Sequence, residues 1–319
     1  MRIETILKYY SKFVDIYLLP KNFEKISDFQ KILKNEDSIY SWDKVLLDEH
    51  NLLDRGLVDS HWFDLQIQMK REFEENTQEF LREQTFLGTV SSNLLPITGR
   101  EARHYYREIH KSSHLDELKR YLADDYVGKP YIYSIRYKST FVRIQHLYQV
   151  FLYEKLTAVN LLSNNVRFIE FGGGYGDLAN LIYSNNLNKP TYIIIDLPVL
   201  CKIQFLYLSS IHKGRVFLIS DINNDIKDGA INIVPLNLIN RINIEKSIFW
   251  ATYSLTESNF DVLDILKKKN FFGSEHYFIA YQTNNSQFME GPEIANELKS
   301  YLSLNYFSNG FENDNYLYL

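Results

Sequence analysis

The chain has little cysteine: Cys201 is the single one among 319 residues. An intrachain disulfide is thereby excluded, and the usage fits a reducing cytoplasm, the expected location. Cys201 follows an apolar run, where it is expected as a small buried group. Also lacking is any apolar run near the ~20 residues needed to cross a bilayer. Nor does the N-terminus read as a signal peptide, because Arg2, Glu4, Lys8 and Lys12 interrupt it. There is no surplus of basic charge; a net charge of −5 argues against a general nucleic-acid binder. Glycine/serine linkers, low-complexity tracts and internal repeats are absent as well.

What remains is ordinary globular material, 45% hydrophobic and 24% charged, with room for one large domain or two modest ones. Ile3, Leu7, Tyr10, Val14 and Tyr17 recur at helical spacing. They read as a helix packed on the domain; membrane-surface association is the second reading, disfavoured by the few basic residues on the polar side. The first ~150 residues read as mostly helical. Trp62, Leu65, Met69, Phe73 and Phe80 fall on one helical face, and Ser91 to Gly99 reads as a loop. The expected division is a helical cap over residues 1–150 and an α/β domain over 151–319. Residues from about 140 to 163 are expected as a helix leading into the first strand.

The densest information lies at residues 168–177, Phe-Ile-Glu-Phe-Gly-Gly-Gly-Tyr-Gly-Asp. An apolar β-prone run ends in Glu170-Phe171, opens into three glycines and enters a helical pattern near Asp177. A strand–glycine turn–helix lets a ligand lie against the backbone. Asp177 occupies the third glycine place of a dinucleotide fingerprint, and the Gly-Lys-Ser/Thr of a phosphate loop is missing. No Lys or Arg occurs from Phe168 through Asn188, whereas Glu170 and Asp177 flank the turn. A pyrophosphate would meet two carboxylates, so a cationic ligand without phosphate fits better. S-adenosylmethionine, with an ammonium and a sulfonium, is such a ligand. The run Thr191 to Asp196 is a second strand ending in an acid, twenty residues past Gly176, suited to ribose hydroxyls. A third, Val216 to Ile219, leads to Asp221 beside an expected adenine. Ala230 to Val234 reads as an extra strand, Ser247 to Thr252 as the fourth and His276 to Tyr281 as the fifth. This βαβ spacing implies a doubly wound parallel sheet.

These residues resemble class I S-adenosylmethionine-dependent methyltransferases. Glu170-Phe171-Gly172-Gly173-Gly174-Tyr175-Gly176 looks like their first motif, and Ile195-Asp196-Leu197-Pro198 looks like the second. More narrowly, the chain is similar to sugar O-methyltransferases of bacterial surface-polysaccharide clusters. That likeness rests on the triple glycine, the Asp-Leu-Pro turn, Thr252-Tyr253-Ser254-Leu255-Thr256-Glu257 and Gly128-Lys129-Pro130. Gln282-Thr283-Asn284-Asn285 departs from the His-rich turn expected there. The resemblance implies a Rossmann-like sheet with an antiparallel C-terminal strand at Tyr316 to Leu319. It also implies a carbohydrate acceptor, either a nucleotide-sugar or a surface glycan.

In such sheets ligands bind beyond the carboxyl ends of the strands. Glu170 and Gly172, Gly173, Gly174, Tyr175 and Gly176 are expected to hold the methionyl part. Asp196 and Leu197 would hold the ribose, and Asp221 the adenine edge. A sugar hydroxyl needs a base, and Glu257 is the first choice, with Tyr253 and Gln282 orienting the acceptor. His104 is a rival base brought over by the cap, as is His146. His110 and His114 have metal-pair spacing, but no clear third ligand follows, and no metal is expected. Arg100, Arg103, Arg107, Arg136, Lys138 and Arg143 would suit the phosphates of a nucleotide-sugar, although a solvated helix face is the plainer reading. Two other function classes stay open: a degenerate binding or assembly module on the same fold, and a nicotinamide-dependent oxidoreductase, which the missing third glycine disfavours.

Overall fold

A computed structural model describes residues 12–34, 40–83, 85–86, 98–112, 115–162, 167–220, 225–283, 290–310 and 315–319. Asp221, His114, Ile3, Leu7, Tyr10, Asn284 and Asn285 lie outside them, as does most of the expected loop before residue 98.

The N-terminal half is helical as expected: α1 (Phe23–Leu33), α2 (Trp42–Asp54), α3 (Ser60–Glu75), α4 (Thr98–Ser112), α5 (Leu115–Leu122) and α6 (Phe141–Thr157). Local chemistry sets their starts. Ser41, Asp59 and Thr140 each accept a backbone N–H of the first turn from an extended conformation, as N-caps do. One expectation fails: α3 stops at Glu75, so Phe80 is not on its face. Phe80 sits instead in a short 3₁₀ turn, and packs edge-on against Phe73 with ring centroids 5.2 Å apart. The apolar spacing recorded the contact but not the break.

The C-terminal half alternates β1 (Arg167–Phe171), α7 (Asp177–Asn185), β2 (Tyr192–Asp196), α8 (Pro198–Ile211), β3 (Val216–Leu218), β4 (Ile231–Pro235), β5 (Ser247–Thr252), α9 (Phe260–Lys268), β6 (His276–Tyr281), α10 (Gly291–Tyr301), β7 (Asn305–Ser308) and β8 (Asn315–Tyr318). They form one eight-stranded sheet in the order β3-β4-β2-β1-β5-β6-β8-β7. It is a doubly wound, Rossmann-like α/β sheet, and β8 is antiparallel to both β6 and β7. Residues 230–234, expected as an extra strand, do form one: β4 pairs with β2, and β3 lies at the edge. Burial explains why. Every residue of β4 is buried, as a central strand requires, whereas the three-residue β3 leaves Phe217 half-buried.

Alternation along the strands divides the core. Phe168, Ile194, Trp250 and Phe278 face one layer; Ile169, Ile195, Phe249 and Ile279 face the other. Cap residues enter both layers, Phe73 and Phe80 the first and Leu52 and Leu57 the second. Among the described residues, no helix is long and apolar enough to cross a membrane.

Candidate functional site

The chain reverses direction across the sheet between β1 and β5, and the loops leaving those strands meet there. Gly172, Gly174 and Gly176 have φ of +76°, +56° and +98°, backbone that L side chains rarely adopt. The missing side chains also serve packing. A Cβ on Gly172 would collide with Ser254 of the β5 loop, and one on Gly173 would lie 2.7 Å from Ile194 Cγ2. Ser254 Oγ donates to the Phe171 carbonyl, sealing the two loops together. The glycines were expected to make room for a ligand. At Gly172 and Gly173 that room is taken by the protein, while the backbone of Gly172 and Gly174 stays half-buried and approachable.

The carboxylates around this turn have different fates. Asp177, the first residue of α7, is buried and takes Arg143 Nε at 2.9 Å, Arg143 Nη2 at 2.8 Å and His146 Nδ1 at 2.8 Å. Burial works against its charge, but Arg143 and His146 outweigh burial and hold its pKa below the usual carboxylate value. Asp177 is therefore neutralised from the cap and presents no free charge to a ligand. This revises the electrostatic reading of the turn. It also corrects that of Arg143, which is neither a solvated surface charge nor a phosphate ligand but a buried partner of Asp177.

Glu170 is buried beneath the turn and accepts from the Tyr192 hydroxyl at 2.8 Å. Burial pushes its pKa up to about 8, against the Tyr192 hydrogen bond, with Asp196 and Asp177 adding to the rise. It supports the loop from below as a largely protonated acid. Tyr175 also turns inward: its side chain is 1% exposed and meets Tyr207 edge-on at 5.2 Å.

Asp196 ends β2 beside the turn. One oxygen accepts from Leu197 N at 2.8 Å and the other from Gln204 Nε2 at 2.6 Å. Burial raises its pKa to about 7, opposed by Leu197, Gln204 and the Gly173 and Gly174 amides. Gln204 also donates to the Gly174 carbonyl at 2.8 Å, bridging strand end and turn. It was not foreseen; a polar residue at the second turn of α8, on the side of Asp196, is the signal that could have found it. Glu49 of the cap accepts from Val199 N at 2.9 Å, in the first turn of α8. Burial pushes Glu49 up to about 8, with Asp196 among the charges that add to it.

Beyond β4, next to β2, stands Asn237, whose buried Oδ1 has no donor among the described residues. This position, one strand nearer Asp196 than the β3 end before Asp221, was missed because β4 was read as an extra strand.

The β5 loop has a different character. Tyr253 has φ +69°, held by its N–H to the Ala280 carbonyl at 2.9 Å and by Gln145 Nε2 donating to its hydroxyl at 2.9 Å. Glu257 is half-buried, and its carboxylate has no partner among the described residues. Burial alone raises its pKa to about 7. Its backbone carbonyl is fixed by Trp62 Nε1 of α3 at 3.1 Å. The cap therefore holds both ends of the loop while leaving the carboxylate open. His104 lies on α4 against Tyr148 of α6, ring centroids 5.6 Å apart, one helical turn from Gln145. His146 is committed to Asp177. Among the described residues no His/Cys/Asp/Glu cluster of metal-binding geometry occurs.

No family model matches the chain, and no curated protein does. Solved structures superpose at low scores. One is fibrillarin from Aeropyrum pernix with natively bound S-adenosyl-L-methionine, at 9% identity and TM-score 0.36 over 54% of this chain and 73% of that one. The mitomycin 7-O-methyltransferase MmcR aligns at 10% identity and TM-score 0.36 over 69% and 66% of the two chains. The CurJ carbon methyltransferase aligns at 12% and 0.36 over 97% and 98%. Similarity at this level leaves the chemistry to be read from the residues themselves.

Proposed function

We propose that the protein is an S-adenosylmethionine-dependent O-methyltransferase acting on a carbohydrate hydroxyl, a nucleotide-sugar or a surface glycan, in the cytoplasm. The observation that carries this reading is the meeting of two loops: a glycine turn flanked by Asp196, and a β5 loop carrying an unpartnered carboxylate raised to about 7. Exposed turn backbone and the hydrogen-bonding groups beside it support the fit to the cofactor. Gly172 and Gly174 expose backbone for the methionyl part, and Asp196 and Leu197 flank the ribose position. Asn237 offers an amide acceptor and donor toward the adenine edge, with Asp221 the acid first expected there.

When bound, the sulfonium supplies an already activated methyl group, so alignment of the acceptor provides much of the rate gain. Glu257 accepts the acceptor's hydroxyl proton, a task matched to a pKa near the working pH. Tyr253, fixed by Gln145, orients the acceptor; Trp62 keeps the loop closed against the cap. His104 is the rival base.

One observation favours a second reading. Both oxygens of Asp196 already have donors within the chain, as they would in a methyltransferase fold used only as a binding or assembly module. Calorimetry with S-adenosylhomocysteine and with NAD separates the readings. Binding of the first alone, lost in Asp196→Ala with the fold intact by circular dichroism, supports the enzyme. Binding of neither supports the module, and binding of NAD alone an oxidoreductase. A methyl-transfer screen over nucleotide-sugars and glycans, read by mass spectrometry, then identifies the acceptor.

A further inference from the structure

The helix over residues 12–18 has two apolar faces. Val14 and Leu18, one turn apart, are buried with Tyr126 and Ile132. Phe13, Ile16 and Tyr17 share the other face and are 61%, 78% and 45% exposed. Ile135 joins them from the loop before α6, and Phe13, Tyr17, Ile135 and Lys138 line one shallow groove. Phe23, at the start of α1, is 72% exposed. Contiguous exposed aromatic and aliphatic side chains mark an interaction site rather than ordinary surface.

Among the described residues, the exposed charges nearest the groove are mostly basic. Lys12, Lys21 and Arg136 are exposed, and Lys138 lies in the groove. Lys21 stands over the Tyr17 ring at 3.4 Å. The nearby acids are engaged elsewhere: Asp15 with Arg82 and Tyr126, Glu24 with Lys213. A positive local rim on a chain of net charge −5 is a concentrated departure from the whole.

We propose that this face is a docking surface for an anionic lipid bilayer. Exposed Phe, Ile and Tyr would enter the headgroup region while lysine and arginine pair with lipid phosphates, the pattern of an interfacial helix. Arg136 and Lys138 join this helix only through the fold, which is why few basic residues were visible in the helical segment itself. A symmetric second copy is a poor occupant, since it would set like charges against each other. The patch is joined to the site through the chain: the loop carrying Ile132, Ile135 and Lys138 leads into the start of α6, whose Arg143 and Gln145 reach Asp177 and Tyr253. The inference does not depend on the methyltransferase reading.

The test is co-flotation of the full chain with vesicles of phosphatidylcholine alone and of phosphatidylcholine mixed with phosphatidylglycerol, with light scattering run in parallel. Binding is expected to the mixed vesicles only, weakening with salt. Phe13→Ser with Ile16→Ser should abolish it. Lys12→Glu, Lys21→Glu and Arg136→Glu together should cut partitioning about a hundredfold or more, at about fivefold for each cation lost. Both sets are exposed, and unchanged circular dichroism confirms their folding. Absence of binding to mixed vesicles overturns the proposal, as does equal binding by the wild type and both variants. A concentration-dependent dimer dispersed by Phe13→Ser with Ile16→Ser assigns the face to a second copy and overturns it too.

Discussion

The loops after β1 and β5 meet in one crevice, yet their charges are handled in opposite ways. Around the glycine turn three carboxylates are answered from within the chain: Asp177 by Arg143 and His146, Glu170 by Tyr192, Asp196 by Gln204 and Leu197. On the β5 loop the backbone is fixed by Trp62 and the Tyr253 hydroxyl by Gln145, but the Glu257 carboxylate is left open. A turn that must keep one shape benefits from internal closure. A group that must exchange a proton with a visiting molecule cannot be closed in this way. Under the proposed function, the difference would separate a binding side from a chemical side.

The largest expected effect breaks the closed side. Arg143→Met leaves Asp177 buried without its main counter-charge, a loss worth about 3–5 kcal/mol of unfolding free energy. Urea denaturation measures it. Asp177→Leu added to Arg143→Met should recover part of the loss, because the Asp177 charge is then gone, although buried Asp124 still lacks the Arg143 charge that faces it. A single-variant loss below about 1 kcal/mol, typical of an exposed pair, would mean that the cap does not lock the turn.

Next comes the open side. Glu257→Gln should lower turnover by about a hundredfold or more with affinity for S-adenosylhomocysteine unchanged, since a positioned base contributes on that scale. Unchanged turnover would pass the base role to another group, His104 first.

Much of this contrast was legible in local pattern. Short apolar runs located β1, β2, β5 and β6, the first two marked also by Glu170 and Asp196, because a buried parallel strand needs continuous apolar residues and a stop. Asp196 and the turn followed from their spacing. The closed side was not legible, because its partners are set by packing between distant segments: Arg143 lies 34 residues before Asp177 and Trp62 lies 195 before Glu257. No periodicity encodes such pairs. The placing of β4 between β2 and β3 was not legible for a related reason. Two short apolar runs look alike until one asks which is buried on both faces.

A smaller effect comes from pH. Glu257 must be deprotonated to accept a proton, and its pKa lies at about 7. Activity, as kcat/KM, should therefore rise with pH through about 7 and fall about tenfold per pH unit below it. Glu257→Gln should flatten this limb. A limb that persists in the variant would belong to a different group.

The smallest effect tests whether the open side is truly prearranged. Tyr253 pays for a left-handed backbone, φ +69°, and Gln145 is the cap's tie to its hydroxyl. Gln145→Leu removes one neutral hydrogen bond, about 1 kcal/mol or roughly fivefold. If Tyr253 orients the acceptor, the loss should appear in the acceptor's KM or in turnover, with S-adenosylhomocysteine affinity and stability nearly unchanged. If calorimetry shows cofactor affinity falling by the same factor, the two loops act as one unit. The division between a closed binding side and an open chemical side would then have to be given up.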